Sequence, residues 1–85
     1  MTPTITVYGA DWCGDTKRTR QLLDDAKVGY TYVNADNDKA VEQQLADWNN
    51  GRTIYPTLDM NGEIAVNPAP AKLNELLKSG GYVSA

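Results

Sequence analysis

The sequence has no histidine, no phenylalanine and a single cysteine, Cys13, among its 85 residues. Each scarcity removes a class of chemistry. One cysteine forbids a disulfide framework within the chain, and with it the stapled architectures of small secreted proteins. A structural zinc site takes four Cys or His ligands, of which this chain offers one. Without histidine, neither a Ser-His-Asp triad nor a Cys-His pair can form. Basic residues are also few: eight Lys and Arg stand against eleven Asp and Glu, for a net charge of −3. Nucleic-acid binders of this size carry a basic face, so phosphate backbones and anionic membranes are poor partners. No apolar run approaches the ~20 residues of a membrane span, and Met1-Thr2-Pro3-Thr4 lacks a basic leader. The expectation is a cytoplasmic protein. A chain this short buries only about 60–65% of the surface its unfolded form exposes. One domain is therefore expected over residues 1–85, with residues 82–85 a frayed tail.

What is present suffices for one core: 41% apolar residues, with two Trp and five Tyr. Thr4 to Tyr8 alternates and reads as a strand stopped by Gly9. Cys13 to Lys27 reads as a helix, with Leu22, Leu23 and Ala26 on one stripe and Lys17, Arg18, Arg20, Asp24 and Asp25 on the wet side. Tyr30 to Asn34 is a second strand, whose Tyr30 and Tyr32 share a face. Asp36, Asn37 and Asp38 form a solvated cap before a helix from about Lys39 to Asn49, where Val41, Leu45 and Trp48 fall on the core side. Asn61-Gly62 is a strong hairpin signal between strands Thr57 to Met60 and Glu63 to Val66. Asn67-Pro68 reads as an N-cap and first residue of a last helix, with Ala69, Leu73, Leu76 and Leu77 inward and Ser79-Gly80-Gly81 as its stop. The order β-α-β-α-β-β-α predicts an α/β fold. Its first βαβ unit pairs in parallel through a right-handed crossover, and the hairpin completes a four-stranded mixed sheet flanked by three helices.

The chemistry concentrates at Trp12-Cys13-Gly14-Asp15-Thr16, between a strand and a helix. A cysteine there meets the unpaired N–H groups and the positive end of the helix, both of which favour thiolate over thiol. From a free value near 8.5, cysteines so placed fall to roughly 3.5–7.5, and the thiolate is the nucleophile. Lys17 and Arg18 assist, while Asp11 and Asp15 oppose. The plain alternative is a buried cysteine acting as a small hydrophobe; its polar neighbours favour an exposed loop. Thr16 is either a hydrogen-bond donor to the thiolate or an ordinary first-turn residue. Tyr8, at the end of the first strand, is a candidate border of the site. Tyr55-Pro56-Thr57 is compatible with a cis bond that would offer the Tyr55 backbone to an extended ligand. It also fits an ordinary edge-strand proline, the commoner case.

Over nearly its whole length the chain resembles glutaredoxin-like proteins of the thioredoxin fold. The resemblance rests on Val7-Tyr8-Gly9, Trp12-Cys13-Gly14-Asp15, Asn50-Gly51-Arg52-Thr53-Ile54-Tyr55-Pro56-Thr57, and Asn67-Pro68 in that order, a combination most like the mycoredoxin branch. It implies a cis-proline at Pro56 facing Cys13 and a low-molecular-weight thiol co-substrate, glutathione or mycothiol, laid along Tyr55. Trp12, Arg52 and Asn67 would line the groove, and no tightly bound cofactor or metal is implied. The implied activity is a monomeric oxidoreductase of redox homeostasis and electron transport, acting on S-thiolated proteins. The departure is Thr16, which stands where dithiol members carry a second cysteine, so the intramolecular disulfide cannot form. A monothiol cycle remains, in which Cys13 takes the small thiol from a mixed disulfide and a second small thiol releases it. Two other classes stay open. One is a dimer holding a [2Fe–2S] cluster, as Cys-Gly-x-Ser members do, although this chain lacks their lysine a few residues before the cysteine. The other is a redox-inactive binding module.

Overall fold

A computed structural model describes residues 4–84. The expected element order is observed, with ends shifted by one or two residues. Strand β1 (Ile5–Gly9) buries Ile5, Val7 and Gly9 in alternation. Helix α1 (Gly14–Asp25) ends earlier than expected, because Lys27 turns into the left-handed region at φ 59°, with Lys27 N closing on Asp24 O and Val28 N on Leu23 O. Strand β2 (Thr31–Asn34) is followed by α2 (Lys39–Trp48), whose N-cap Asp38 accepts a hydrogen bond from Val41 N. Strands β3 (Thr57–Met60) and β4 (Glu63–Val66) form the hairpin. Its turn residues Asn61 and Gly62 stand at φ 55° and 99°, and Asp59 Oδ1 accepts from Gly62 N at 2.8 Å. Helix α3 spans Pro70–Ser79.

The sheet order is β2-β1-β3-β4, with β1 and β2 parallel and the other pairs antiparallel. In this register Val7 faces Leu58 and Leu58 faces Ala65, which puts the apolar side chains on one surface. Ile5, Val7, Leu58, Met60 and Ala65 pack there against Leu23 of α1 and Leu73 and Leu77 of α3. Truncating such a buried leucine to alanine typically costs about 2–5 kcal/mol. Tyr8 alternates onto the opposite surface, where its ring meets Trp48 of α2 edge-on at 5.6 Å. Trp48 is therefore a packing residue.

Two expectations fail at the C-terminal end. Asn67 does not cap α3. Its backbone lies at φ 40°, whereas an N-cap is extended, and its side chain is engaged with Asp15; Ala69 is the N-cap and Pro70 opens the helix. The expected fraying from residue 82 is not seen at Tyr82 and Val83, which pack on the core, Tyr82 N donating to Leu77 O at 2.9 Å and its hydroxyl to Thr4 O at 3.2 Å. The rest of the expected tail includes residue 85, outside the described residues.

Glycine at position 9 is a packing requirement. An added Cβ would lie 2.5 Å from Thr16 Oγ1 and 2.6 Å from its Cγ2, and Thr16 is 0% exposed, so it has nowhere to move. Gly9→Ala should lower unfolding stability by about 1–3 kcal/mol in denaturant titration. Combining it with Thr16→Ala should recover part of that loss; a purely additive pair would contradict the contact.

Candidate active site

The chain reverses over Ala10 to Cys13, where Cys13 N donates to Ala10 O at 3.0 Å. Cys13 is the N-cap of α1, with φ −82° and ψ 121°, and its carbonyl accepts the first helical bond from Lys17 N at 3.1 Å. Cys13 makes no side-chain capping hydrogen bond at this end, so the first-turn N–H groups have no side-chain partner from it. The thiol is half-buried, and Sγ lies 4.0 Å from the Tyr55 carbonyl oxygen. The Tyr55–Pro56 peptide bond is cis. Cys13, Tyr55 and Pro56 thus come together from α1 and from the segment leading into β3.

The cysteine loop is anchored to the β2–α2 segment through consecutive residues. Asp11 accepts from the Tyr32 hydroxyl at 2.8 Å and from Asn34 Nδ2 at 3.4 Å, while Trp12 Nε1 donates to Asp36 Oδ2 at 3.0 Å. Trp12 is 65% exposed and meets the Tyr55 ring edge-on at 6.1 Å, making an aromatic wall beside the sulfur. The Tyr55 hydroxyl lies 3.4 Å from Ala35 O and 3.3 Å from Glu42 Oε2, which fixes the far end of that wall. Burial raises the Tyr55 hydroxyl's pKa above the ordinary tyrosine value, and the Glu42 charge raises it further. Arg20 ties the outer tyrosines together: its guanidinium carbon sits 3.8 Å over the Tyr32 ring, and Nε donates to Tyr30 Oη at 3.2 Å.

On the other flank, Asn67 N donates to Pro56 O at 2.7 Å and Asn67 Nδ2 donates to Asp15 Oδ2 at 3.2 Å. Asp15 Oδ1 is 2.7 Å from Arg18 Nη2, an exposed pair worth about 0–1 kcal/mol by itself.

Of the residues singled out from sequence, Trp12, Cys13, Asp15, Tyr55, Pro56 and Asn67 are connected here by contacts. Arg52 is exposed in the loop before Tyr55, where its backbone N donates to Asn49 O at 3.0 Å. Two others lie elsewhere. Tyr8 packs on Trp48 with Asp59 as its charged neighbour, on the α2 surface of the sheet. Thr16 is buried beneath the loop, and its Oγ1 accepts from Ala10 N at 3.4 Å, which supports the loop. The supporting contacts of Asp11, Arg20, Tyr32, Asn34, Asp36 and Glu42 are not legible from sequence. Their partners lie 10 or more positions away, beyond local pattern; the shared face of Tyr30 and Tyr32 was the one visible hint.

A half-buried thiol capping the first helix of a β-α-β-α-β-β-α sheet, opposite a proline-containing turn, defines a thiol site on a thioredoxin-like fold. The glutaredoxin family model matches residues 5–65, and the chain belongs to the glutaredoxin family. A Mycobacterium tuberculosis protein named as a glutaredoxin is 25% identical over 83 residues, 95% of this chain and 99% of that protein. Among solved structures, the glutaredoxin of Archaeoglobus fulgidus superposes with a TM-score of 0.75 at 20% identity, covering 89% of this chain and 87% of that one. A buckwheat glutaredoxin–glutathione complex gives 0.73 at 20% identity, covering 96% and 83%. Among the described residues, no helix is long and apolar enough to cross a membrane, and no group of three or more His, Cys, Asp or Glu is placed to hold a metal ion.

The Tyr32–Asp11 pair gives this site a pH signature. Burial first, then the hydrogen bond and charge of Asp11, push the Tyr32 hydroxyl from 10.0 up to about 12, against the pull of Arg20. The folded chain holds this proton more tightly than the unfolded one. The stabilisation is therefore complete below about pH 10 and lost as pH rises toward about 12. Tyrosinate absorbance should show a late-titrating tyrosine. Asp11→Asn should bring its midpoint down, though not fully to 10.0, because burial is the larger cause.

Proposed function

We propose that this chain is a monothiol oxidoreductase that reduces mixed disulfides between proteins and a low-molecular-weight thiol, glutathione or mycothiol. The observation that carries this reading is the position of Cys13 Sγ, at the uncapped start of α1 and 4.0 Å from the Tyr55 carbonyl. Membership of the glutaredoxin family supports thiol–disulfide chemistry, and the buckwheat relative was solved with glutathione. In the first step the Cys13 thiolate attacks the small-thiol sulfur of the mixed disulfide. A Cys13–small-thiol disulfide forms, and the protein thiolate leaves and takes up a proton. In the second step the thiolate of another small thiol attacks the sulfur bound to Cys13, releasing the small-thiol disulfide and restoring Cys13. The two electrons come from the small thiols, so no second cysteine in the chain is required.

Within this reading Cys13 is the nucleophile, and Trp12 and Tyr55 wall the thiol. Pro56 sets the backbone beside the sulfur, and the exposed Arg52 supplies a cation for a carboxylate of the co-substrate. The protein works as a single-domain monomer in the cytoplasm, without a tightly bound cofactor.

The test is a mixed-disulfide assay with glutathione and, separately, mycothiol. Turnover should be lost in Cys13→Ser; a serine variant as active as the parent would sink the proposal. Arg52→Ala should raise KM for the small thiol by roughly fivefold, as loss of one partly exposed charge-assisted contact implies, with kcat little changed. Treatment with iron, sulfide and glutathione separates the cluster alternative, which a coloured dimer would favour.

A further inference from the structure

The acidic run Asp36-Asn37-Asp38 divides its tasks. Asp38 caps α2, accepting from Val41 N at 3.2 Å. Asp36 instead accepts the Trp12 indole N–H, with Nε1 3.0 Å from Oδ2 and 24 positions between the two residues. Trp12 is the exposed large hydrophobic among the described residues, at 65%, so burial does little to orient its ring. An indole has a single N–H donor, and here Asp36 takes it. A bond to a carboxylate belongs to the stronger class of hydrogen bond. Beyond it, the ring meets Tyr55 edge-on at 6.1 Å.

Asp36 can hold the ring only if its own backbone is held. Its N–H donates to Asn34 Oδ1 at 3.0 Å, and Ala35 N, between them, donates to Gly9 O at 2.7 Å. Ala35 is fully buried, and its carbonyl lies 3.4 Å from the Tyr55 hydroxyl. Asn34 Nδ2 donates to Asp11 Oδ2 at 3.4 Å. Three consecutive residues at the end of β2 thus reach the cysteine loop, the Tyr55 wall and the Trp12 wall in turn. The two walls are tied to adjacent positions, 35 and 36, of one stretch bonded to the end of β1. Their anchoring is uneven. The Tyr55 hydroxyl has a second acceptor in Glu42 Oε2 at 3.3 Å, whereas the indole N–H has Asp36.

We infer that Asp36 is a positioning residue that pins the Trp12 indole beside Tyr55, so that this wall of the groove stands before a small thiol arrives. An unpinned indole has to be ordered at each binding event, and ordering one such side chain weakens binding by roughly two- to tenfold. The kinetic consequence rests on the oxidoreductase reading; the restraint on the indole does not.

The experiment reads the indole directly in 15N-labelled protein, where the two tryptophans give two indole N–H signals, assigned with Trp12→Phe. Asp36→Ala should speed exchange of the Trp12 indole proton with water by roughly tenfold, as loss of one charge-assisted bond implies. The Trp48 signal should stay in place. In the mixed-disulfide assay the same variant should raise KM for the mixed disulfide roughly fivefold, with kcat unchanged. Asp36→Asn keeps an acceptor oxygen and should restore most of both effects. Asp36→Ser, too short to reach the indole, serves if the alanine variant fails to fold. In a Trp12→Phe background, which has no N–H to hold, Asp36→Ala should add nothing to KM. A Trp12 signal unmoved by Asp36→Ala overturns the inference. So does an equal rise in KM in the Trp12→Phe background, which would make Asp36 structural or a direct binding residue. A freed indole with unchanged KM overturns it as well, because the wall would then form on binding. A parent chain with a protected indole that reduces no mixed disulfide would overturn the proposed function and leave the hold of Asp36 on Trp12 standing.

Discussion

The site depends on α1 starting flush against the end of β1, and that junction depends on a side chain being absent at Gly9. Thr16 fills the space, with its Oγ1 and Cγ2 where a Cβ on residue 9 would have to go. From that buried position Thr16 accepts the Ala10 N–H, and Ala10 O in turn accepts from Cys13 N. The chain is thereby turned so that the cysteine caps the helix. The position of Cys13 at the start of α1 follows from this packing.

The loop so formed is then fixed from both flanks. On one side Asp11 and Trp12 reach the β2–α2 segment through Tyr32, Asn34 and Asp36. On the other, Asp15 reaches the β4–α3 loop through Asn67, which also holds Pro56 O. Individually such exposed or half-buried bonds contribute about 0.5–1.5 kcal/mol. Their effect lies in adjacency, since residues 11, 12, 13 and 15 each have a partner on a different element. A loop held from both flanks keeps Cys13 at its distance from the Tyr55 backbone, and holding side chains within a fraction of an ångström is what a supporting shell contributes. Arg20 extends this support one layer outward by covering Tyr32, whose hydroxyl holds Asp11.

What the sequence disclosed and what it concealed divide along contact distance. The strands, the helices and the hairpin were legible, because alternation at Ile5 and Val7, the stripe at Leu22 and Leu23, and the positive-φ pair Asn61-Gly62 are local signals. Cys13 was legible for the same reason, being defined by the strand-to-helix junction. Asn67 misled because Asn followed by Pro has the composition of an N-cap. Its amide is instead recruited by Asp15, 52 positions earlier, a pairing no local pattern encodes. Tyr82 misled similarly: its place in the chain's last residues suggested a frayed end, yet its hydroxyl reaches Thr4 O, 78 positions away. For Thr16, position in the sequence leaves two roles open, and what it could not disclose is the tight approach at Gly9 and the bond from Ala10 N.

Position 16 also clarifies why one cysteine is a coherent design for this chain. In dithiol relatives the residue three positions after the nucleophile supplies the sulfur that closes the intramolecular disulfide. Here that residue is wholly buried, wedged against Gly9 and bonded to Ala10 N, so it contributes to the geometry of the loop. A side chain with that task cannot also swing out to attack a disulfide on Cys13 without releasing the loop that presents Cys13. On the proposed cycle, resolution passes to a small thiol arriving from solvent along the exposed Trp12 face, which leaves the support beneath the cysteine undisturbed throughout turnover.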